Sequence, residues 1–304
     1  MRELNPLAAS PMTGEGIGTA SKVARSKKPW QISLQKFLRQ PVSVISTIVT
    51  LLIIIFAIVG SFYAAAAAKP DYSAVLKGPS GSHIFGTDEF GRDILSRLLA
   101  GAHLSLEVGL SSVAIGAVVG TLLGLIAGYY GGWREVLIMR LTDVLLAFPG
   151  ILLAIGVIAI LGGGVLNVIL AVAVFTVPIF IRLVQGSTIA VKDLPFVEAA
   201  RTVGMSDFRL IIRHILPNLM STIVVYLTMR IGTAILIAAS LSFLGLGVSP
   251  STPEWGAMLN SAQDYVTTAP WTILAPGLAI LITVLAFNLM GDGLRDAFDS
   301  KIKG

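Results

Sequence analysis

Cysteine is absent from the 304-residue chain, which excludes a disulfide framework and thiol chemistry. Histidine is nearly so. His83, His103 and His214 are the only three, and no two share a metal-ligand spacing, so neither a metal site nor a histidine-based catalytic centre is expected. Charge is scarce at 13% of residues, against roughly 25% in soluble domains. No Gly-x-x-x-x-Gly-Lys-[Ser/Thr] phosphate loop occurs, nor any Gly-Lys pair, so this chain is not expected to hold a nucleotide triphosphate in that way. Strand-period segments and internal repeats do not stand out either. What remains is apolar: 55% hydrophobic residues and a mean hydropathy of +0.84 place the chain in the membrane class.

A helix needs about 20 apolar residues to cross ~30 Å of hydrocarbon. Val42–Tyr63 and Val108–Tyr130 each meet that length without a disqualifying charge. Val144–Ile181 is uncharged but too long for one span, and Gly162-Gly163-Gly164 interrupts it. Two helices are expected there, near 140–161 and 166–186. Leu216–Leu246, with one charge at Arg230, and Thr272–Met290 complete six spans. The fold class is therefore an all-α integral membrane protein with six transmembrane helices, because backbone crossing lipid must satisfy its own hydrogen bonds. The first apolar stretch is too long, and starts too late, for a signal peptide and reads as a retained anchor.

Residues 1–40 hold seven Lys/Arg against two acids, enough to account for the whole net charge of +5. That excess beside a span reads as a cytoplasmic, largely disordered tail and not as a nucleic-acid site. With six spans, seventeen of the 22 basic residues fall on the tail's side and four on the other, while Arg230 lies within a span. Both termini are thus expected in the cytoplasm. The organisation that follows is a 1–40 tail, a 41–63 first span and a 64–103 outer loop with an interfacial helix. A five-helix core over 104–291 contains a cytoplasmic loop at 187–217 and an outer loop at 248–271, and 292–304 forms a C-terminal tail.

Several motifs stand out. Gly116, Gly120, Gly124 and Gly128 recur every four residues and predict a face for close helix packing. His83–Asp93 leads into Ile94-Leu95-Ser96-Arg97-Leu98-Leu99, whose apolar positions share one face and predict a helix lying on the membrane surface. Asp88, Arg92 and Asp93 lack a nucleophile–base partner and read as a structural turn. In the 187–217 loop, Asp193-Leu194-Pro195 opens a helix, Glu198 suits its N-terminal dipole, Gly204 breaks it, and Ser206 is placed to cap a second. Ala199 and Ala200 form a low-profile face, which fits either a partner's groove or an ordinary loop helix. Arg230, alone within a span, marks a functional position by default. It either faces a central cavity and attracts an anionic group, or pairs with an acid such as Glu107.

The run Glu198-Ala199-Ala200-Arg-Thr-Val-Gly204, with Leu216-Pro217 following, resembles the EAA loop of bacterial ATP-binding-cassette (ABC) importer permeases. Gly86-Thr87-Asp88, Gly91-Arg92-Asp93, Ala239–Gly247, Thr252–Leu259 and Gly291–Asp296 are similar to the dipeptide/oligopeptide/nickel branch, in its C-type subunit. Thr228–Thr233 and Lys301–Gly304 look closest to dipeptide and glutathione importer permeases. The resemblance implies a type I ABC importer permease fold in the bacterial cytoplasmic membrane, with the 198–217 loop as the ATPase-coupling site. It implies four partners besides the bilayer: a homologous second permease, two ATPase subunits that carry the ATP and Mg, and an extracytoplasmic substrate-binding protein. No cofactor is implied on this chain. Glu254, Trp255 and Asp264 become candidates for contact with the binding protein, the alternative being packing beneath their own loop, which is the favoured reading for Trp255. An enzyme reading finds no histidine in any span. An ion-coupled carrier is the competing class, but it usually has repeats and mid-membrane acids that are not evident here. Dipeptides, longer peptides, glutathione and nickel complexes all stay open as cargo.

Overall fold

The computed structural model describes residues 29–298, so most of the expected disordered tail and the Lys301–Gly304 motif lie outside the described residues. Helix α1 (Pro29–Arg39) opens on a proline, which fits the first turn of a helix. Its polar neighbourhood gave no sign of it. The first span is α2 (Pro41–Ala67). The second, α3 (Ile94–Tyr130), is a single helix of 37 residues. The amphipathic segment at 94–99 is therefore the opening of the span and not a separate surface helix. Asp93 caps it by accepting from the Ser96 N–H at 2.9 Å, and no residue downstream breaks the helical ladder.

The third span is broken. Helices α4 (Gly132–Ala147) and α5 (Gly150–Leu161) meet at a 96° bend. Phe148 is extended, at φ −87° and ψ 138°, the conformation imposed on a residue before proline, and Pro149 supplies no N–H to carry the helix on. The Gly162–Gly164 turn separates α5 from α6 (Val165–Lys192) as expected, with the Gly164 N–H on the Gly247 carbonyl at 3.0 Å. Helix α6 outruns its expected end at 186 by six residues and ends on Lys192.

Helix α7 (Pro195–Thr202) is short, and α8 (Asp207–Leu210) continues through a π-helical turn at Ile211–Ile215 into α9 (Leu216–Phe243). Asp207–Phe243 is thus one uninterrupted span. The second short helix of the cytoplasmic loop is its root, and Pro217 sits in the first turn of α9 without opening a new element. Helices α10 (Trp255–Ala262) and α11 (Trp271–Phe298) follow. Among the described residues five helices are long and apolar enough to cross a membrane, six if the bent α4–α5 pair counts as one span.

Helices α3 and α9 form the middle of the bundle, with α2 and α11 on one flank and α4, α5 and α6 on the other. Lipid offers no hydrophobic gain for helix association, so close packing must supply it. The four glycines of α3 do this against α6. A Cβ on Gly116 would lie 2.6 Å from Thr176, on Gly120 2.5 Å from Phe180, on Gly124 2.8 Å from the Ile181 carbonyl, and on Gly128 2.7 Å from the Gln185 carbonyl. At the other flank, Gly291 of α11 admits Met229 of α9, and Gly60 of α2 rests on the Leu99 carbonyl of α3. Gln40 donates to Asp296 at 3.3 Å, which brings the two ends of the described chain to one side.

A polar knot holds the opposite side together. Asp88 is buried and accepts from the N–H groups of Phe90 and Arg92 at 2.9 Å each, from Arg92 Nε at 2.6 Å, and from Arg97 Nη1. Arg97 also reaches the Pro250 carbonyl at 3.3 Å, and the Trp271 indole donates to the Thr87 carbonyl at 3.2 Å. The turn expected at Asp88, Arg92 and Asp93 is thereby a clasp between the 64–93 loop, the start of α3 and the 248–271 loop. Burial also pushes the Glu89 carboxyl above its ordinary value.

Candidate functional site

The 193–217 loop is built from one anchor and two exposed tips. Val197, fully buried, fixes the inner face of α7, while Glu198 and Ala199 are exposed and Ala200 is half-buried. After α7 the chain turns at Gly204, whose φ of +82° lies in the left-handed region, where a side chain is strained. Met205 closes the turn by donating to the Ala200 carbonyl at 3.2 Å. Ser206 stands at the cap position of α8 but makes no side-chain cap bond. Asp207, the first residue of α8, accepts from the Tyr129 hydroxyl at 2.6 Å and ties the loop to the end of α3. The Arg201 guanidinium lies 5.9 Å from the Tyr129 ring, and Lys192 donates to the Gly128 carbonyl at 3.0 Å.

Two apolar side chains that sequence reasoning missed flank the bend: Val203 is 88% exposed and Phe208 75%. An apolar tip on each side of a sharp turn, with the low alanine face of α7 preceding them, is a shape suited to a partner's cleft. The signal was present in the alternation of apolar and polar residues, but exposure could not be told from burial without the Gly204 turn. Leu216 and Pro217 lie beyond the π turn, half-buried and exposed respectively. They belong to the root of α9 and not to the exposed tips.

The other predicted residues scatter. Arg230 on α9 is half-buried and has no ion-pair partner among the described residues. Glu107 does not pair with it. Gly109 faces Ile231 and Ile235 of α9, and Glu107, two residues earlier, points about 200° around the helix. Its neighbour is His103, at 3.9 Å. Glu254 and Trp255 are each only 3% exposed, so neither offers a surface to a partner. Glu254 caps α10 by accepting from the N–H groups of Gly256 and Ala257 at 2.9 and 2.8 Å, and burial raises its pKa above the ordinary glutamate value. The Trp255 indole donates to the Leu98 carbonyl at 3.0 Å, the packing role weighed for it from sequence. Asp264 alone of the three is exposed. Among the described residues no cluster of three metal-ligating side chains occurs.

A multi-pass helical bundle, its seams closed by glycine and an exposed bent loop hung from one side, defines a membrane-embedded permease subunit. The chain belongs to the family of binding-protein-dependent transport system inner membrane components, whose model matches residues 120–304. The N-terminal transmembrane domain of oligopeptide transport permease C matches residues 28–79. The glutathione transport system permease protein GsiD of Escherichia coli O6:K15:H31 is 55% identical over 280 residues, covering 91% of this chain and 92% of that protein. GsiD of Pectobacterium atrosepticum is 51% identical over 279 residues, with 91% and 93% covered. Among solved structures, the MetNI methionine ABC transporter in an inward-facing conformation matches with a TM-score of 0.53 at 20% identity. It covers 66% of this chain and 96% of that one, and the likeness extends to the fold. The chain is accordingly an ABC importer permease of the inner membrane, one component of a multi-part transport system.

Proposed function

We propose that this permease forms half of the membrane channel of an importer of small peptides, with glutathione the first cargo to test. The observation that carries this reading is identity above 50% across nine-tenths of relatives named for glutathione transport. In the proposed assembly a homologous second permease completes the channel, two ATPase subunits bind ATP and Mg, and an external binding protein delivers the peptide. Both termini and the 193–217 loop face the cytoplasm, in keeping with the excess of basic residues on that side. The loop, presenting Glu198, Ala199, Val203 and Phe208, docks on the ATPases. Closure of the ATPase pair draws the two permeases' loops together and tilts the spans to open the path outward. Arg230, about 20 Å along α9 from Pro217, faces the path and attracts the carboxylates of the peptide. Asp264 lies on the surface that receives the binding protein.

Uptake of labelled glutathione and of a dipeptide into vesicles carrying the whole assembly tests the proposal. ATP-dependent accumulation of either supports it. Accumulation of nickel complexes alone would sink the peptide reading while leaving the machine in place.

A further inference from the structure

Asp143 on α4 and Arg182 on α6 form an ion pair, the only one among the described residues that joins two membrane-crossing elements. Their side chains are 47% and 55% exposed. Such exposure is ordinary at a protein surface in water, but these two lie deep. Helix α6 has 28 residues, about 42 Å, and a 30 Å hydrocarbon slab centred on it would extend about 10 Å beyond Arg182 toward the cytoplasmic end. The α3–α6 seam gives the same level: Arg182 follows Ile181, the contact of Gly120 and Gly124, about 9–15 Å above the aromatic pair Tyr129–Tyr130 that ends α3. Exposed charge at that depth faces a water-filled passage or a partner protein and not lipid.

The rest of that flank fits a passage. Thr142 is the only buried residue of α4, so this helix waits to be covered. Gly186, one turn beyond Arg182, is exposed, and a Cβ there would meet nothing within 4 Å. The opposite flank differs in kind. The large groove of about 760 Å³ between α2, α3 and α11, lined by Ile53, Phe56, Leu99, Trp271 and Leu278, is almost wholly apolar and suits hydrocarbon.

We infer that Asp143 and Arg182 form a polar station on the translocation path that holds a peptide by its oppositely charged ends. The guanidinium takes a carboxylate and the aspartate an ammonium group. With no peptide present the two satisfy each other, so neither charge is left unpaired in the passage. A planar guanidinium suits bidentate recognition of a carboxylate. The pair thus selects for free termini, which every small peptide offers whatever its side chains.

This inference rests on the reading of the chain as a peptide importer. Because the chain contains no cysteine, Gly186→Cys places a single thiol beside the pair without disturbing it. In the assembled transporter, a charged, membrane-impermeant methanethiosulfonate should modify that thiol, and dialanine should slow the reaction. Dialanine capped as N-acetyl dialanine amide should need at least tenfold higher concentration for the same protection. Arg182→Gln should raise the half-protecting concentration of dialanine about tenfold and leave that of dialanine amide unchanged, while Asp143→Asn should do the same relative to N-acetyl dialanine. A thiol that the reagent cannot reach, or equal protection by free and capped peptides, would overturn the station even if either charge variant failed to assemble. Failure of the peptide reading shows differently: the wild-type assembly would accumulate neither glutathione nor dipeptide although the thiol was modified.

Discussion

Gly204 combines a left-handed backbone with open space where a Cβ would stand. The cost of a side chain there is accordingly backbone strain alone, about 1–2 kcal/mol, confined to the loop. Gly204→Asp is expected to assemble normally in membranes while uptake per ATP hydrolysed falls severalfold, and Gly204→Asn, which tolerates that conformation better, should fall less. Glu254 gives a prediction in pH. Its folded pKa is raised by burial above the ordinary 4.5, so the native state binds the proton more tightly than the unfolded one. Stability from this group is full below pH 4.5 and declines as pH rises from there to the folded value. Glu254→Gln should flatten that part of the curve, read as melting temperature against pH in detergent. The burial of Glu254 was not legible in the sequence. It depends on two α10 N–H groups and on Ser105, 149 positions away, whereas a glutamate in a long outer loop looks solvated.

At the scale of elements, the α3–α6 seam is the clearest case of structure legible in sequence, because a four-residue glycine period has few other uses inside a span. Gly120→Leu would drive carbon into Phe180 and the Val177 carbonyl. A loss of about 1–3 kcal/mol is expected, measured as a lower midpoint of thermal unfolding of the purified complex. The junction of α3 with the cytoplasmic loop was not legible, since Tyr129 and Asp207 are 78 positions apart. Tyr129→Phe keeps the ring and removes the hydroxyl, at about 1 kcal/mol. Hydrogen exchange in α7 and α8 should quicken, Asp207→Ala should match it, and the double variant should add little. The break at Phe148–Pro149 had its signal in plain view: a proline inside an apolar run forbids its predecessor the helical region. The apolar pattern alone, being continuous through it, concealed the bend.

For the whole molecule, hydropathy marked each of the five long helices that can cross a membrane among the described residues, because crossing lipid leaves a chain little choice of structure. Its limits were at the ends of elements, where α3 and α6 extend beyond the apolar runs that announced them and α9 is continued backward through the π turn to Asp207. Hydropathy reports residence in lipid, and helices continue past it wherever neighbours or water satisfy the backbone. As one component of a larger system, the isolated chain in vesicles should show no uptake driven by a proton or sodium gradient. Accumulation under such a gradient would reverse its assignment to the ABC importers.

The uninterrupted helix Asp207–Phe243 has 37 residues, about 55 Å from end to end. Under the proposed coupling it would act as a lever whose short arm is the loop at one membrane face and whose long arm ends beside the opposite one. A 5° tilt imposed at the loop displaces the far end by about 5 Å, close to one helical turn. The π-helical turn at Ile211–Ile215 is the one place along this lever where the spacing of hydrogen bonds changes, and so the one joint at which tilt can become rotation. Removing Ile212 would restore α-helical spacing and turn the loop about 100° against the span. The permease would keep both its proposed docking surface and its proposed passage, facing directions that no longer agree.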